Sequence, residues 1–374
     1  MKALQKKKMD PYFLAIVLVL SIGGFLIFLS SSTSFLLHEN VSYTRIVTSQ
    51  ATALILGLLA LYILSHIHYR FFRKYAFIVM ITVLLLSLLV FVPGLGVSHG
   101  GAVRWVSLGF LNIQPATFLQ LGVVIYGAAW LSGITSKINK FSYGLLPLIL
   151  ILLVIALILF LQRDTGTLVV IFGAIFSMFF IAGARWRDIL MVFVTSILGL
   201  IWLSFEREYV RVRFVSLYHS LFQPEKLEIL GSGYQWNQSL IAIGSGEIFG
   251  RGYGQSVQKF KFLPEASTDS VFAVAAEELG FIGASLILTA FLLLVWRGIQ
   301  LALRTEDTFA RLLVVGIVIM ITTQAFIHIA GMLGIFPLSG IPLPFMSLGG
   351  TSLLVTLAAA GIVLNISRYN KISK

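Results

Sequence analysis

Long apolar runs recur along the whole chain and constrain its fold more than any other feature. A helix needs about 20 consecutive apolar residues to cross a bilayer. Runs near that length cover residues 12–31, 46–65, 75–93, 115–132, 143–161, 166–183, 188–204, 270–296, 310–332 and 348–366. Hydrophobic residues make up 58% of the 374 residues and charged residues 11%, which excludes an ordinary soluble domain. The sequence predicts an all-α polytopic membrane protein, with ten transmembrane helices in a single integral-membrane domain, residues 1–374.

The distribution of basic residues predicts the orientation of these helices. With the N-terminus inside, seventeen of the 27 Lys and Arg residues fall in the termini and short loops of the cytoplasmic side, and three in short outer loops. This bias is typical of membrane proteins, in which basic residues concentrate in short cytoplasmic loops. We therefore expect both termini in the cytoplasm. Topology accounts for much of the net charge of +12, so no nucleic-acid partner is predicted.

One long excursion, residues 205–268, is predicted as an extracytoplasmic loop between helices 7 and 8. It contains the glycine-rich stretch IAIGSGEIFGRGYGQS. Glycines permit positive φ angles and a close approach of the backbone to a ligand, but composition equally fits a flexible linker. The nearby aromatic residues Trp236 and Phe249 argue against a structureless segment.

Two other connections on the predicted outer side are unusual. The loop from Pro93 to Pro115 contains Val103 to Ile113, which mixes Arg104 with apolar and aromatic residues and is predicted to lie in the membrane interface. Trp105 is expected to be a passive anchor there, whereas Arg104 is a candidate for phosphate binding. Gly331 to Ser352 contains Pro337, Pro342 and Pro344. Broken backbone at membrane depth is tolerated only when it is buried or lines a cavity, so this segment is expected to form the wall of a pocket.

Asp269 is the carboxylate that most needs an explanation. It lies in the stretch KFKFLPEASTDSVFAVAAEELGFIG, where a polar segment becomes an apolar one. With Thr268 as N-cap, a helix is expected to begin at Asp269 or Ser270 and to run to Trp296. The positive end of the helix dipole would favour the ionised form of Asp269. The carboxylate is then either a simple helix cap or a general base.

Glu277 and Glu278 lie deeper in the same predicted helix and are interpreted as structural intramembrane residues. At 100° per residue, Ala273, Ala276 and Gly280 would form a small face below Asp269, suited to a packed helix or a lipid tail. His328 is predicted to be a buried histidine whose hydrogen bonds are satisfied.

Five segments, in this order, resemble the SEDS family, which includes the FtsW and RodA proteins of bacterial cell-wall synthesis. They are GAVRWVSLG with IQP, QRDTGT, SLIAIGSGEIFGRGYGQSVQK, LPEASTDSVFAVAAEELGFIG and FPLSGIPLPFMSLGGTS. The resemblance implies a peptidoglycan glycosyltransferase in the bacterial cytoplasmic membrane that polymerises lipid II with a class B penicillin-binding protein, a transpeptidase. The family's essential aspartate matches Asp269.

This chemistry requires a carboxylate base and cations for a diphosphate leaving group. Asp269 is therefore predicted as the catalytic residue. The residues predicted to bind substrate are Arg104, Arg211, Arg213, Lys259, Lys261, Glu265, Thr268, Ser347, Gly349 and Gly350. A divalent cation, Mg²⁺ or Mn²⁺, could help to neutralise the diphosphate, but the sequence shows no cluster of metal ligands and no metal site is predicted.

The chain departs from the family pattern at four positions. Thr117 and Gln120 stand where a glutamate and a lysine are usual, Arg163 replaces a proline, and Ser270 replaces a phenylalanine. Because this charged pair is missing, one alternative function is a catalytically impaired scaffold for cell-wall synthesis partners. A second alternative is a lipid II flippase. The sequence does not decide between FtsW-like septation and RodA-like elongation.

Overall fold

The structure, a computed structural model, describes residues 8–37, 42–99, 102–107, 112–223, 232–260 and 262–369. Its α-helices are α1 (Pro11–Ser32), α2 (Tyr43–His66), α3 (Arg70–Leu88), α4 (Pro115–Gly133), α5 (Leu145–Leu161), α6 (Thr165–Ile181), α7 (Trp186–Glu206), α8 (Glu208–Phe222), α9 (Ser232–Ser245), α10 (Val271–Leu303), α11 (Thr308–Met332) and α12 (Gly350–Ser367). The predicted helical membrane fold is therefore confirmed.

Seven segments within the described ranges are long and apolar enough to cross a membrane. They are Pro11–Leu36, Tyr43–His66, Arg70–Phe91, Pro115–Gly133, Val271–Leu303, Thr308–Met332 and Gly350–Ser367. Helices α5 and α6 are apolar but shorter, with 17 residues each. The predicted total of ten spans stays a prediction.

A small antiparallel sheet follows α3, where an interfacial segment was expected. Its strands are β1 (Gly96–His99), β2 (Ala102–Ser107) and β3 (Asn112–Ile113), in that spatial order. The alternating apolar residues around Arg104 suit a strand, and Val97 of β1 pairs with Trp105 of β2. The sheet thereby gives Arg104 a fixed place instead of leaving it on a passive anchor.

The long segment predicted as a loop contains two helices in its described part, α8 and α9. Helix α9 packs against α10, and α8 packs against α7. The buried Trp236 anchors α9 in the core. Much of this segment is therefore ordered helix, which fits the expectation from its aromatic residues.

Helix α11 is the centre of the bundle. It is buried along most of its length and contacts α4, α6, α10 and α12. By contrast, α2 and α3 expose large apolar side chains such as Ile55 and Phe77. Exposed apolar surface of this extent on spanning helices suits contact with lipid.

Helix α10 is broken at Gly280, whose φ of 66° and ψ of −168° lie far from helical values. Only glycine adopts this conformation without strain. The amide nitrogens of Phe281 and Ile282 donate instead to the carbonyls of Glu247 and Ile248. The helix predicted to run to Trp296 is present, but it contains a break that was not predicted, at which part of the glycine-rich stretch supplies hydrogen bonds.

Candidate functional site

Two irregular segments are fastened together at the end of the bundle where α10 and α12 begin. The Ser347 hydroxyl donates to the Thr268 carbonyl oxygen at 2.6 Å, and the Leu348 amide donates to the Ser267 carbonyl oxygen at 2.7 Å. Gln50 of α2 bonds the same strip, since its Nε2 donates to the Ser347 carbonyl at 3.1 Å and its Oε1 accepts from the Gly349 amide at 3.3 Å. These bonds fix the turn that carries Asp269.

Asp269 lies in that turn, two residues before the first residue of α10, and not in the first helical turn as predicted. The N-cap position of α10 is Ser270, and Thr268 does not cap the helix. Thr268 Oγ1 donates instead to a carboxylate oxygen of Glu265 at 2.6 Å. The correction follows from the tight turn after Pro264, in which Glu265 adopts a φ of 50° and its carbonyl accepts from the Thr268 and Ser270 amides.

Ser270, one of the departures from the family pattern, is completely buried. Its hydroxyl donates to the Pro264 carbonyl at 2.9 Å and accepts from Gln235 Nε2 at 3.0 Å. The side chain therefore ties α9 to the turn that holds Asp269. A phenylalanine could make neither bond, so the local wall of the site is built differently here.

Three charged side chains surround Gly340. A Cβ atom placed on this residue would lie 3.4 Å from Asp269 Oδ2, 3.5 Å from Arg213 Nη2 and 4.0 Å from Arg104 Nη1. Gly340 has a φ of 67°, which a side chain rarely tolerates. The absence of a side chain leaves open the space between the carboxylate and the two guanidinium groups.

Burial, with a smaller contribution from the negative charge of Glu265, raises the pKa of Asp269 to about 6 against the opposing attraction of Arg104 and Arg213. The expectation that a helix dipole would hold the group ionised is therefore wrong, since desolvation dominates. Protein encloses the carboxylate, yet the side chain keeps partial exposure through a cavity. A group with a pKa near 6 can accept a proton at neutral pH and release it again.

The cavity beside Asp269 has a volume of about 120 Å³. It is lined by Arg213, Gln235, Asp269, His328, Gly331, Met332, Leu338, Ser339, Gly340 and Ile341. The proline-containing segment thus forms part of its wall, in line with the expectation for broken backbone in a membrane protein. Leu338 to Ile341 supply one wall, and the remaining lining residues come from α8, α9, α11 and the turn that carries Asp269.

His328 is a cavity residue that the sequence interpretation missed. Its Nδ1 lies 2.9 Å from the Ile341 carbonyl, which fixes Nδ1 as the donor, whereas its buried Nε2 has no hydrogen-bond partner within the described ranges. The prediction of a fully satisfied histidine is therefore wrong. The only sequence signal was a polar residue within an otherwise apolar run.

The start of α6 is packed against the same wall. Asp164 caps α6, accepting from the Thr167 amide at 3.1 Å, and its charge adds to the rise in the pKa of Asp269. Arg163 has a φ of 58°, and its carbonyl accepts a hydrogen bond from Arg104 Nη2. Since proline fixes φ near −65°, this backbone conformation requires the departure from the family's usual proline.

Most of the other predicted substrate-binding residues lie outside this cavity. Arg211 is exposed, and its Nη2 donates to the Phe205 carbonyl at 2.7 Å. Ser347 and Gly349 do not line the cavity, and they hold the turn through the hydrogen bonds described above. Gly350 is the first residue of α12 and packs against Ala53. Lys261 lies outside the described residues.

Lys259 requires a correction, because its ammonium group is buried and already paired. Its Nζ lies 2.8 Å from Glu278 Oε1 and also donates to Ser30 Oγ at 3.0 Å and the Gly254 carbonyl at 2.9 Å. A cation with these three partners has no free donor for a diphosphate. The structure gives Lys259 a structural position instead of the predicted substrate contact.

Glu277 and Glu278 hold the segment before Asp269 against α10. Glu277 accepts from the Ser256 hydroxyl and from the amides of Val257 and Gln258. Both glutamates are buried. These contacts agree with the structural interpretation of the two carboxylates and leave neither one in the cavity.

The glycine-rich stretch approaches protein backbone and not an open ligand site. A Cβ on Gly250 would lie 2.2 Å from the Glu278 carbonyl oxygen, and one on Gly246 would lie 2.1 Å from that of Ala276. Ala273 and Ala276 are buried, so the small face below Asp269 serves helix packing. The glycines permit close approach as predicted, but to the broken helix.

No group of three or more His, Asp or Glu side chains suited to a metal ion occurs among the residues that the structure describes. Asp164, whose charge acts on Asp269, is engaged in capping α6. The described residues do not fit a protein-bound divalent cation.

Comparisons with known proteins place this arrangement in context. The profile of the cell cycle protein family FtsW, RodA and SpoVE matches residues 11–372. Stage V sporulation protein E of Bacillus subtilis is 35% identical, covering 98% of this chain and 99% of that protein. A probable peptidoglycan glycosyltransferase FtsW of Geobacter metallireducens is 36% identical and covers 98% of both chains.

Solved structures show the same fold. A chain from a peptidoglycan synthase complex, studied for its coordination of polymerization and crosslinking, aligns with a TM-score of 0.77 at 28% identity, over 96% of this chain and 98% of that one. The rod shape determining protein RodA of Thermus thermophilus aligns with a TM-score of 0.70 at 28% identity, over 98% of each chain.

Proposed function

Because the chain belongs to the FtsW, RodA and SpoVE family, we propose that it is a peptidoglycan glycosyltransferase that polymerises lipid II at the outer face of the bacterial cytoplasmic membrane. The observation that carries the proposal is the open space at Gly340, which Asp269, Arg213 and Arg104 share. It combines a proton acceptor with two cations, as the transfer of a sugar from a lipid diphosphate requires.

Asp269 is the general base in this reaction. The acceptor sugar hydroxyl gives its proton to the Asp269 carboxylate, and its oxygen forms a bond to the anomeric carbon of the donor. The bond from that carbon to the diphosphate oxygen breaks, and the diphosphate leaves with the bonding electron pair. Since a diphosphate leaves without a proton, one carboxylate suffices, in contrast to the paired carboxyl groups of glycoside hydrolysis.

Arg104 and Arg213 stabilise the departing diphosphate. Arg104 Nε is buried and has no hydrogen-bond partner within the described ranges, which leaves a donor available for an anion. Arg213 Nη1 is held by the Ser339 carbonyl at 3.2 Å, and this bond orients the guanidinium toward the cavity. Planar guanidinium groups match phosphate oxygens in two-point contacts.

The cavity of about 120 Å³ is smaller than ligand pockets of roughly 300–1,000 Å³. It therefore receives the reacting groups, while the lipid tails remain in the bilayer. A divalent cation, if one participates, would be carried by the diphosphate, because the described residues do not group as metal ligands. We further propose a class B penicillin-binding protein as the partner, and both termini in the cytoplasm.

The decisive experiment is polymerisation of lipid II in detergent by purified protein, with and without a co-expressed class B penicillin-binding protein. Asp269→Asn should lower the rate by about 10²-fold or more. Arg213→Gln should lower it by a similar factor. Arg211→Gln, two residues away on the same helix but outside the cavity, is the matched control and should retain most activity.

Because lipid II is supplied in detergent, this assay needs no translocation and separates a polymerase from a flippase. Parent protein without polymerisation, despite a bound partner, would support a scaffold. Full activity of folded Asp269→Asn protein would remove Asp269 from the catalytic role.

A further inference from the structure

A second, apolar groove lies between α6, α10 and α11, at the opposite end of these helices from Asp269. Its volume is about 280 Å³, and its lining includes Phe176, Phe180, Ile299, Leu303 and Ile319. Phe180 is 55% exposed and Leu303 is 78% exposed. The groove therefore opens sideways toward the hydrocarbon of the bilayer, where a lipid chain is the abundant apolar occupant.

Arg311 is the charged residue that lines this groove. Its Nε is buried and has no hydrogen-bond partner within the described ranges, and none of the ion pairs found there includes it. The nearest carboxylate in sequence, Asp307, accepts instead from the amides of Phe309 and Ala310 at 2.8 and 3.2 Å. The guanidinium thus lacks a counter-ion in the part of the chain that the structure describes.

An unpaired cation beside an apolar groove favours an anionic ligand. A buried N–H without a partner is unfavourable, and charged groups in membrane proteins are usually paired. Arg311 also lies in the first turn of α11, where the helix dipole adds positive potential. A ligand that combines an acyl chain with a phosphate would satisfy both the groove and the arginine.

We propose that this groove binds an anionic phospholipid of the surrounding membrane, with one acyl chain against Phe180 and Ile299 and the phosphate on Arg311. Arg185 and Arg187 follow the end of α6 on the same side of the membrane and strengthen the attraction for anionic headgroups. A helix of a partner protein is a less favoured occupant, since it would have to place a carboxylate beside Arg311 at a high desolvation cost. The site is separate from the proposed catalysis.

The absence of Cys from the chain allows a direct test with single labels. Phe180→Cys, carrying a bimane fluorophore at the groove, is reconstituted in vesicles whose phosphatidylglycerol or phosphatidylcholine bears a nitroxide on its acyl chain. Leu190→Cys, on the exposed surface of α7, reports the bulk lipid. Quenching at Phe180→Cys should indicate about fivefold tighter association of phosphatidylglycerol, whereas Leu190→Cys should show no preference.

Charge variants then assign the preference to one residue. Arg311→Gln in the Phe180→Cys background should bring the ratio between the two lipids to about one, and the exposed Arg304→Gln should leave it unchanged. Monodispersity by size-exclusion chromatography confirms that each variant is folded. Equal quenching by both lipids, an equal effect of Arg304→Gln, or shielding from both lipids by a co-reconstituted partner protein would each overturn the proposal.

Discussion

Lys259 Nζ lies 2.8 Å from Glu278 Oε1, and both side chains are buried. Ser30 of α1 completes the cluster, since its hydroxyl donates to the Glu278 carboxylate at 2.6 Å. The pair therefore joins α1, the segment that leads to Asp269, and the first part of α10. Because the turn that carries the catalytic carboxylate follows Lys259 directly in sequence, we expect this ion pair to position the site without contacting substrate.

Removal of one partner of the pair should destabilise the protein strongly. Lys259→Met leaves the Glu278 charge uncompensated, and Glu278→Gln does the same for Lys259, so each should cost about 3–5 kcal/mol. The double variant should cost less than the sum of the two, by about 0.5–3 kcal/mol. Thermal unfolding of the four proteins in one detergent checks this, and strictly additive losses would show that the two charges do not interact.

The broken helix makes a second, steric prediction. Gly250→Ala would place a methyl group 2.2 Å from the Glu278 carbonyl oxygen at a residue with a φ of 80°, so we expect a loss on the order of 2 kcal/mol or more. Gly244→Ala is the matched control, since nothing lies within 4 Å of that position in α9. It should be neutral or slightly stabilising in the same unfolding assay. Equal effects of the two substitutions would contradict the close packing.

The helical architecture could be predicted from the sequence, because apolar run length and basic-residue bias are local signals. The role of Asp269 could be predicted because the motif around it resembles that of the SEDS family. It could not show that Lys259 faces Glu278, since the pairing depends on how the segment around Ser256 folds back against α10. The strand around Arg104 was likewise overlooked among apolar helices. The raised pKa of Asp269 depends on enclosure by segments distant in sequence, which no local pattern records.

The raised pKa of Asp269 sets the acid limit of activity. A general base works only when deprotonated, so with a pKa of about 6 the rate should fall tenfold per pH unit well below pH 6 and level off above about pH 7. Glu265→Gln removes a charge that raises the pKa of Asp269, so the fall of the rate at acidic pH should move to lower pH. Glu247 is not among the charges that shift the pKa of Asp269, so Glu247→Gln should leave the pH dependence of the rate unchanged. Initial rates against pH check all three proteins.

The same pKa predicts that the catalytic carboxylate lowers stability at neutral pH. The folded-state pKa of about 6 exceeds the ordinary value of 3.8, so the stabilisation from the protonated form is complete below about pH 4 and lost as pH rises through 6. Asp269→Asn avoids this loss. Relative to the parent, it should gain on the order of 3 kcal/mol between pH 4 and pH 8. Unfolding temperatures that change in parallel with pH would contradict this.

His328 offers a test of how the cavity wall is held. Its Nδ1 donates to the Ile341 carbonyl at 2.9 Å, and the residue lines the cavity with a buried Nε2 that has no hydrogen-bond partner within the described ranges. His328→Phe keeps the ring but leaves that carbonyl unsatisfied, so it should cost about 1–3 kcal/mol. His328→Asn can place an amide N–H near the Nδ1 position and should lose less stability, although it no longer presents a nitrogen at the Nε2 position. Thermal unfolding ranks the two variants, and a Phe variant as stable as the Asn variant would show that the bond to Ile341 does not support the wall. If the Asn variant is folded yet polymerises lipid II more slowly, the Nε2 nitrogen contributes to substrate binding as well.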